Sequence, residues 1–269
     1  TPQATLNMAP TSAVPVPPLP VRRPAIPAPI KTAALQGWGT EVTATDGTTG
    51  GVRVAILIRG IGQDRRDSYD AINKLPAAVS LGFVASDDGE EMANIARELG
   101  HEVIVQLPLD GNESSSMFDL LGSSTSNADR MGSVLNRFNG PNGVTNVTGS
   151  KLLQSKEALR PIMQDIKARN LVYIAEGNNN HAVIRQLAQE LNVRYGNAAV
   201  VIDTHPTPDG IKAALERLVA VAQKRGSAIG IGFASSATIE QIQAWSQELA
   251  AKGVTLVPAS SLSQNPGAS

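Results

Sequence analysis

Val54-Ala55-Ile56-Leu57-Ile58-Arg59-Gly60-Ile61-Gly62 is an unbroken apolar run that closes on an arginine and two glycines. A run with no polar alternation describes a strand covered on both faces, as in parallel sheets wrapped by helices. The spaced glycines read as a tight loop at its end. In α/β enzymes the C-terminal end of the first strand usually delivers catalytic groups. Here it delivers Arg59 and Gly60, with no carboxylate between them.

Outward from this strand the same pattern repeats. Short runs rich in β-branched residues recur at 79–84, 102–106, 143–147, 171–175, 199–202, 228–231 and 254–257. Between them, residues 64–74, 90–99, 128–138, 156–169, 182–191, 208–225 and 239–251 carry apolar side chains at three- and four-residue spacing, the helical period. Thr207 before Pro208 reads as an N-cap with proline at the first helical position. Thr238 with Gln241 has the spacing of a capping box. Gly100, Gly226 and Gly253 stand where helices need a left-handed residue to stop. Strand-helix alternation of this kind gives parallel strands, and about seven to eight of them close most naturally as a distorted or incomplete (β/α) barrel. An open doubly wound sheet is the alternative.

Residues 52–262 form this domain, and the flanks differ in composition. Residues 1–51 carry nine of the 17 prolines and end in Gly-Thr-Thr-Gly-Gly, so a polyproline-like flexible linker is expected there. Residues 263–269 read as a flexible tail. The chain begins at Thr1, and the arm is expected to tether the domain to a removed signal or anchor. A docking role for Pro15-Val16-Pro17-Pro18 is the functional alternative. The serine-rich link from Pro108 to Asn127, with Met117, Phe118, Leu120 and Leu121, lies either over the barrel mouth as a lid or on the surface without a role.

Composition narrows the function. Lys+Arg numbers 23 and Asp+Glu 24, so no basic field exists to attract nucleic acid, and aromatics at 3% offer few base-stacking surfaces. With no cysteine, thiolate chemistry and disulfides are excluded. No apolar stretch is long enough to span a membrane. The strand ends in order supply Arg59, Gly60, Gln106, Asp110, Asn146, Ser150, Glu176, Asp203 and His205 as a polar ligand pocket. Glu176 and Asp203 are its candidate catalytic groups. Asp203 and His205, two apart on a strand, either share an ion or serve the turn, Asp203 as its cap and His205 ahead of a proline. His101 reads as a packing residue and His181 as an exposed helix start. Arg59 either binds an anionic ligand or pairs internally with Glu176 or Asp203. No dinucleotide loop, Walker loop or nucleophile elbow occurs.

The segments Leu75-Pro76 with Val79-Ser80-Leu81, Gly100-His101-Glu102-Val103, Gln106-Leu107-Pro108-Leu109, Asn146 with Gly149-Ser150, Val201-Ile202-Asp203, Gly226-Ser227-Ala228-Ile229 and Gly253-Val254-Thr255-Leu256-Val257-Pro258 occur in an order that resembles the divergent polysaccharide deacetylase family. The resemblance implies a distorted (β/α) barrel and descent from metal-dependent hydrolases of acetyl groups on sugars. It also implies a pair of aspartates at the positions of Arg59 and Gly60, a histidine at Val147, an aspartate at Ala175, and histidines at Phe233 and Ser235. Valine and phenylalanine do not ligate metals, and arginine repels them. The ancestral divalent metal, such as zinc, is therefore expected to be lost and no cofactor retained.

The function expected from this combination is a deacetylase-like protein of the bacterial envelope or periplasm, inactive as an enzyme and acting by binding peptidoglycan, another glycan or an envelope protein. The alternatives are an active metal-dependent deacetylase with unusual ligands drawn from Asp203, His205 and Glu176, and a structural scaffold of an envelope complex.

Overall fold

The computed structural model describes residues 51–107, 127–146, 155–176 and 182–264. Residues 1–50, the link after Pro108, Asp110, Val147, Ser150, His181 and the last five residues lie outside them. The strands are β1 (Val52–Ile61), β2 (Ser80–Val84), β3 (Val103–Leu107), β4 (Gly143–Asn146), β5 (Val172–Ala175), β6 (Tyr195–Val201), β7 (Ser227–Phe233) and β8 (Val254–Leu256). The helices are α1 (Arg65–Lys74), α2 (Asp87–Glu98), α3 (Asn127–Arg137), α4 (Lys156–Ala168), α5 (Ala182–Leu191), α6 (Pro208–Arg225) and α7 (Ser236–Glu248). The sheet order is β2-β3-β4-β5-β6-β7-β1-β8, with β1 also pairing β2, and every pairing is parallel.

Seven strands thus close into a barrel and the eighth is extra. The reason lies in β1. One edge pairs with β7 from Arg53 to Arg59, while the other is shared: β8 takes Val52 to Val54, and β2 takes Leu57 to Ile61. The strand can serve three partners because it is ten residues long and runs on to Ile61. It survives two glycines by bulging: the β2 register shifts between Ile58 and Ile61, and Gly60 has φ +85°. Only at Gly62 does the chain turn.

Both faces of β1 are buried, which explains the apolar run. Ala55 and Leu57 point inward with Ile104, Val172, Ile174, Ala198, Ile229 and Ile231, filling the barrel. Val54, Ile56 and Ile58 point outward into the larger cluster beneath the helices. Each fully buried Leu or Ile contributes about 1.5–3 kcal/mol on burial. Five of the helices begin on side-chain caps: Asp64, Ser86, Ser155, Thr207 and Ser235 each accept from a backbone N–H three residues on. Two expected starts move as a result. Ser86 opens α2 at Asp87 and places three carboxylates in its first turn, where the helix dipole favours them. Ser235, not Thr238, caps α7: Thr238 is buried inside the helix and donates its backbone N–H to Ser235 Oγ at 3.2 Å. Strand β6 starts at Tyr195 rather than Ala199, because its exposed Asn197 and its Gly196 conceal the apolar alternation.

The N-terminal end of the barrel is closed by the chain's last described turn, Ala259–Leu262. Glu102 Oε2 accepts from Ser80 Oγ at 2.6 Å and from Ser260 N at 3.1 Å, and Ser80 Oγ accepts from Ala259 N at 2.9 Å. Gln264 then pairs with Tyr195 through both backbone groups, at 2.9 and 3.0 Å, so the barrel extends past the boundary expected at 262. With this end sealed, ligand access is left to the opposite mouth.

Candidate functional site

The alternation that turns Ala55 and Leu57 inward turns Arg59 inward as well, one layer above the core. Gly82 on β2 makes room for it: a Cβ there would stand 3.3 Å from both Cα and Cγ of Arg59. By the same period Glu176 follows Ile174 into the mouth. Arg59 Nη1 pairs with Glu176 Oε1, and the two side chains are only 13% and 6% exposed. Burial lowers the pKa of Arg59, and the nearby Asp203 carboxylate opposes that shift. The guanidinium stays charged, paired with Glu176 and within the field of Asp203.

A second set of contacts fixes the tip of β1. Gly60 N donates to Gln106 Oε1 at 2.6 Å, and Arg59 O accepts from Ala234 N at 2.8 Å. The ring of Phe233 lies against Gly60, where a Cβ would be 2.5 Å from Cε1 and Cζ. Phe233 N in turn donates to Asp203 Oδ2 at 2.5 Å. The end of β1 is therefore tied to β3 through the Gln106 side chain and to the end of β7 backbone to backbone, and β7 is tied to the end of β6 through the Asp203 side chain, while the Phe233 ring occupies the space a side chain at position 60 would need.

The predicted pocket residues separate on this geometry. Arg59, Glu176 and Asp203 come together, and Gly60 borders them. Gln106 is buried and spends its carbonyl oxygen on the β1 backbone, so it braces the site. Asn146 is fully buried and accepts from Tyr173 Oη at 2.8 Å, away from solvent. His205 is exposed beyond the strand end, ahead of Pro206 as expected, and Asp203 Oδ2 accepts from Phe233 N, which replaces the turn cap expected of it. His101 is a packing residue: its buried ring places Nδ1 2.9 Å from Val79 O and Nε2 3.0 Å from Ile72 O. Sequence reasoning placed Phe233 at a site position through the resemblance but did not single out Val201 or an apolar side to the mouth. Val201 and Phe233, at the ends of neighbouring strands β6 and β7, are 38% and 37% exposed. Two large apolar residues placed at successive strand ends were the available signal.

Comparison with known proteins agrees with this architecture. Residues 56–263 match the profile of the divergent polysaccharide deacetylases. The chain belongs to the divergent polysaccharide deacetylase family. YibQ of Escherichia coli K12 is 26% identical over 219 residues, covering 80% of this chain and 68% of that protein. A Haemophilus influenzae protein is 22% identical over 197 residues, covering 71% and 70%. A crystal structure from Agrobacterium tumefaciens C58 superposes with a TM-score of 0.71 at 30% identity, covering 80% of this chain and 91% of that one.

For a member of the deacetylase family the donor set at the mouth is unusual. Among the described residues no three His, Asp or Glu side chains gather where a metal ion would sit. Glu176 is already engaged by a guanidinium, and Asp203 by a backbone N–H. A divalent cation between them would meet the fixed charge of Arg59, so these residues do not fit the metal that the family resemblance implies. Gly60, the other position where the resemblance implies an aspartate, has no side chain, and the Phe233 ring fills the room for one. What the arrangement offers is a partly apolar, partly charged surface with preset hydrogen-bonding groups.

Proposed function

We propose that this divergent polysaccharide deacetylase is catalytically silent, has lost the ancestral metal, and acts in the bacterial envelope by binding a glycan at its barrel mouth. The observation that carries the reading is the Arg59–Glu176 ion pair at the place where the family resemblance implies a carboxylate pair for base and metal. A positive side chain there opposes the cation and leaves no general base poised on the first strand. Support for binding comes from the remaining surface: exposed Phe233 and Val201 beside Arg59, Glu176 and Asp203, the mixture of apolar face and few oriented polar groups that ligand sites use. The proline-rich composition of residues 1–51 suits a tether that holds such a domain near an envelope surface.

The test has two arms on the purified chain. Metal analysis after growth and dialysis with zinc, joined to acetate release from acetylated chitin and peptidoglycan fragments, is expected to give substoichiometric metal and no turnover. Calorimetric titration with the same fragments is expected to show binding. One equivalent of tightly held zinc with acetate release overturns the silent reading, and absence of binding to any acetylated glycan overturns the glycan role.

A further inference from the structure

We infer that the face of Phe233 is the platform on which this site takes the apolar side of an uncharged pyranose ring. The inference rests on the glycan-binding reading and names the chemistry of its ligand. Among the described residues the exposed large hydrophobics are Leu99, Val201 and Phe233. Leu99 ends α2, at the N-terminal side of the barrel, while the other two sit together at the mouth.

The exposed ring is held, and that distinguishes it from a surface side chain left over from folding. Its backbone N–H is fixed by Asp203 Oδ2, and its edge rests on Gly60 in the space that only a glycine leaves open. Gly60 is itself fixed by Gln106. An aromatic side chain whose backbone is anchored and whose ring is packed on one side before the ligand arrives loses less freedom on binding than one free on the surface, which favours affinity.

Charge selects the ligand class. Among the described residues, the charged side chains brought together at the inner strand ends are one cation, Arg59, and two carboxylates, Glu176 and Asp203, with Arg59 committed to Glu176. A uronate or phosphorylated sugar would face uncompensated negative charge. A neutral pyranose presents a C–H face to the ring and hydroxyls as donors to the carboxylates, which accept without being neutralised. Val201 on the neighbouring strand end extends the apolar floor.

The experiment titrates neutral chitotetraose into the full chain and into Phe233→Leu, Phe233→Tyr and Gly60→Ala. Thermal unfolding checks that each variant is folded. Leucine keeps apolar bulk and removes the aromatic face, so about tenfold weaker binding is expected. Tyrosine keeps the face and should stay within about threefold. Gly60→Ala pushes the ring aside and should match Phe233→Leu, and the double variant should be no worse than either single. Wild-type binding that survives Phe233→Leu unchanged overturns this inference and leaves the glycan reading standing, whereas no binding by wild type removes both. Tighter binding of a uronate oligomer or of the deacetylated, cationic oligomer overturns the choice of an uncharged ring.

Discussion

Removing Glu176 isolates the physical claim about the mouth. Glu176→Gln keeps the side-chain volume and removes the charge, leaving Arg59 in a mouth where its side chain is 13% exposed. Breaking a buried pair from one side costs about 3–5 kcal/mol, because the survivor's charge is left uncompensated. Two features put this site at the lower end: Asp203 remains to interact with the guanidinium, and Arg59 keeps some contact with water. About 3 kcal/mol is therefore expected, a fall in Tm of about 6–12 °C for a domain of this size. Arg59→Met should cost a comparable amount by stranding Glu176, which is 6% exposed. The double variant Arg59→Met, Glu176→Leu replaces the pair with apolar groups and should lose far less than the sum, since such replacements are often neutral. Urea unfolding of wild type, Arg59→Met, Glu176→Leu and the double variant closes the cycle and gives the coupling energy, with Glu176→Gln as the isosteric control. If each single variant loses under about 1 kcal/mol and the losses add, the pair behaves as an exposed one and the description of the mouth fails.

Other expectations follow from the scaffold. Gly143→Ala would put a Cβ 2.4 Å from Val172 Cγ2 and 2.6 Å from Val172 O, between two strands that cannot part; a loss of about 1–3 kcal/mol by denaturant unfolding is expected. Glu102→Ala should loosen the turn that seals the barrel base, read as faster amide exchange across residues 254–264 with the mouth unchanged, because two bonds to a charged acceptor are lost. Burial lowers the pKa of His101 below its ordinary 6.5, against the pull of the two backbone carbonyls. The folded state thus favours the neutral ring, so its contribution is present above pH 6.5 and is lost as pH falls below it. The pH–stability slope between pH 7 and 5 should flatten in His101→Gln, and an unchanged slope would refute this.

The sequence made the scaffold legible where the signal was local. Apolar runs located all eight strands, and glycines at 100, 226 and 253 marked helix ends that the structure gives positive φ. Pairing is non-local, so the sharing of β1 between β2 and β8 could not be read from β1 itself. At the mouth the internal pairing of Arg59 was legible because a buried guanidinium must find an anion and few carboxylates stood at strand ends. The resemblance drew attention to Ala175, yet inward parity from Ile174 belongs to Glu176, and Ala175 packs outward among the helices. Gln106 and Asn146 looked like ligand-binding groups because residue type alone cannot tell a side chain facing solvent from one spent on the backbone or on Tyr173. Asp203 deceived for a related reason: its partner, Phe233 N, lies thirty residues away on another strand.

The separation of fold and chemistry along the barrel axis explains how the mouth changes while the frame stays. The interior cluster from Ala55 to Ile231 and the Glu102 network at the base stabilise the closed sheet without contributing to the mouth. Position 59 needs only a side chain that can stand in the mouth with its charge paired, and Glu176 supplies that pairing. Position 60 is more constrained, because it shares its volume with Phe233. A carboxylate at 60 and an aromatic ring at 233 exclude one another sterically, so the two positions must change together. Charge compensation at 59 and 176 and volume compensation at 60 and 233 are thus separate couplings within one mouth. Restoring a carboxylate at 60 alone would displace the ring before it offered a ligand to any metal.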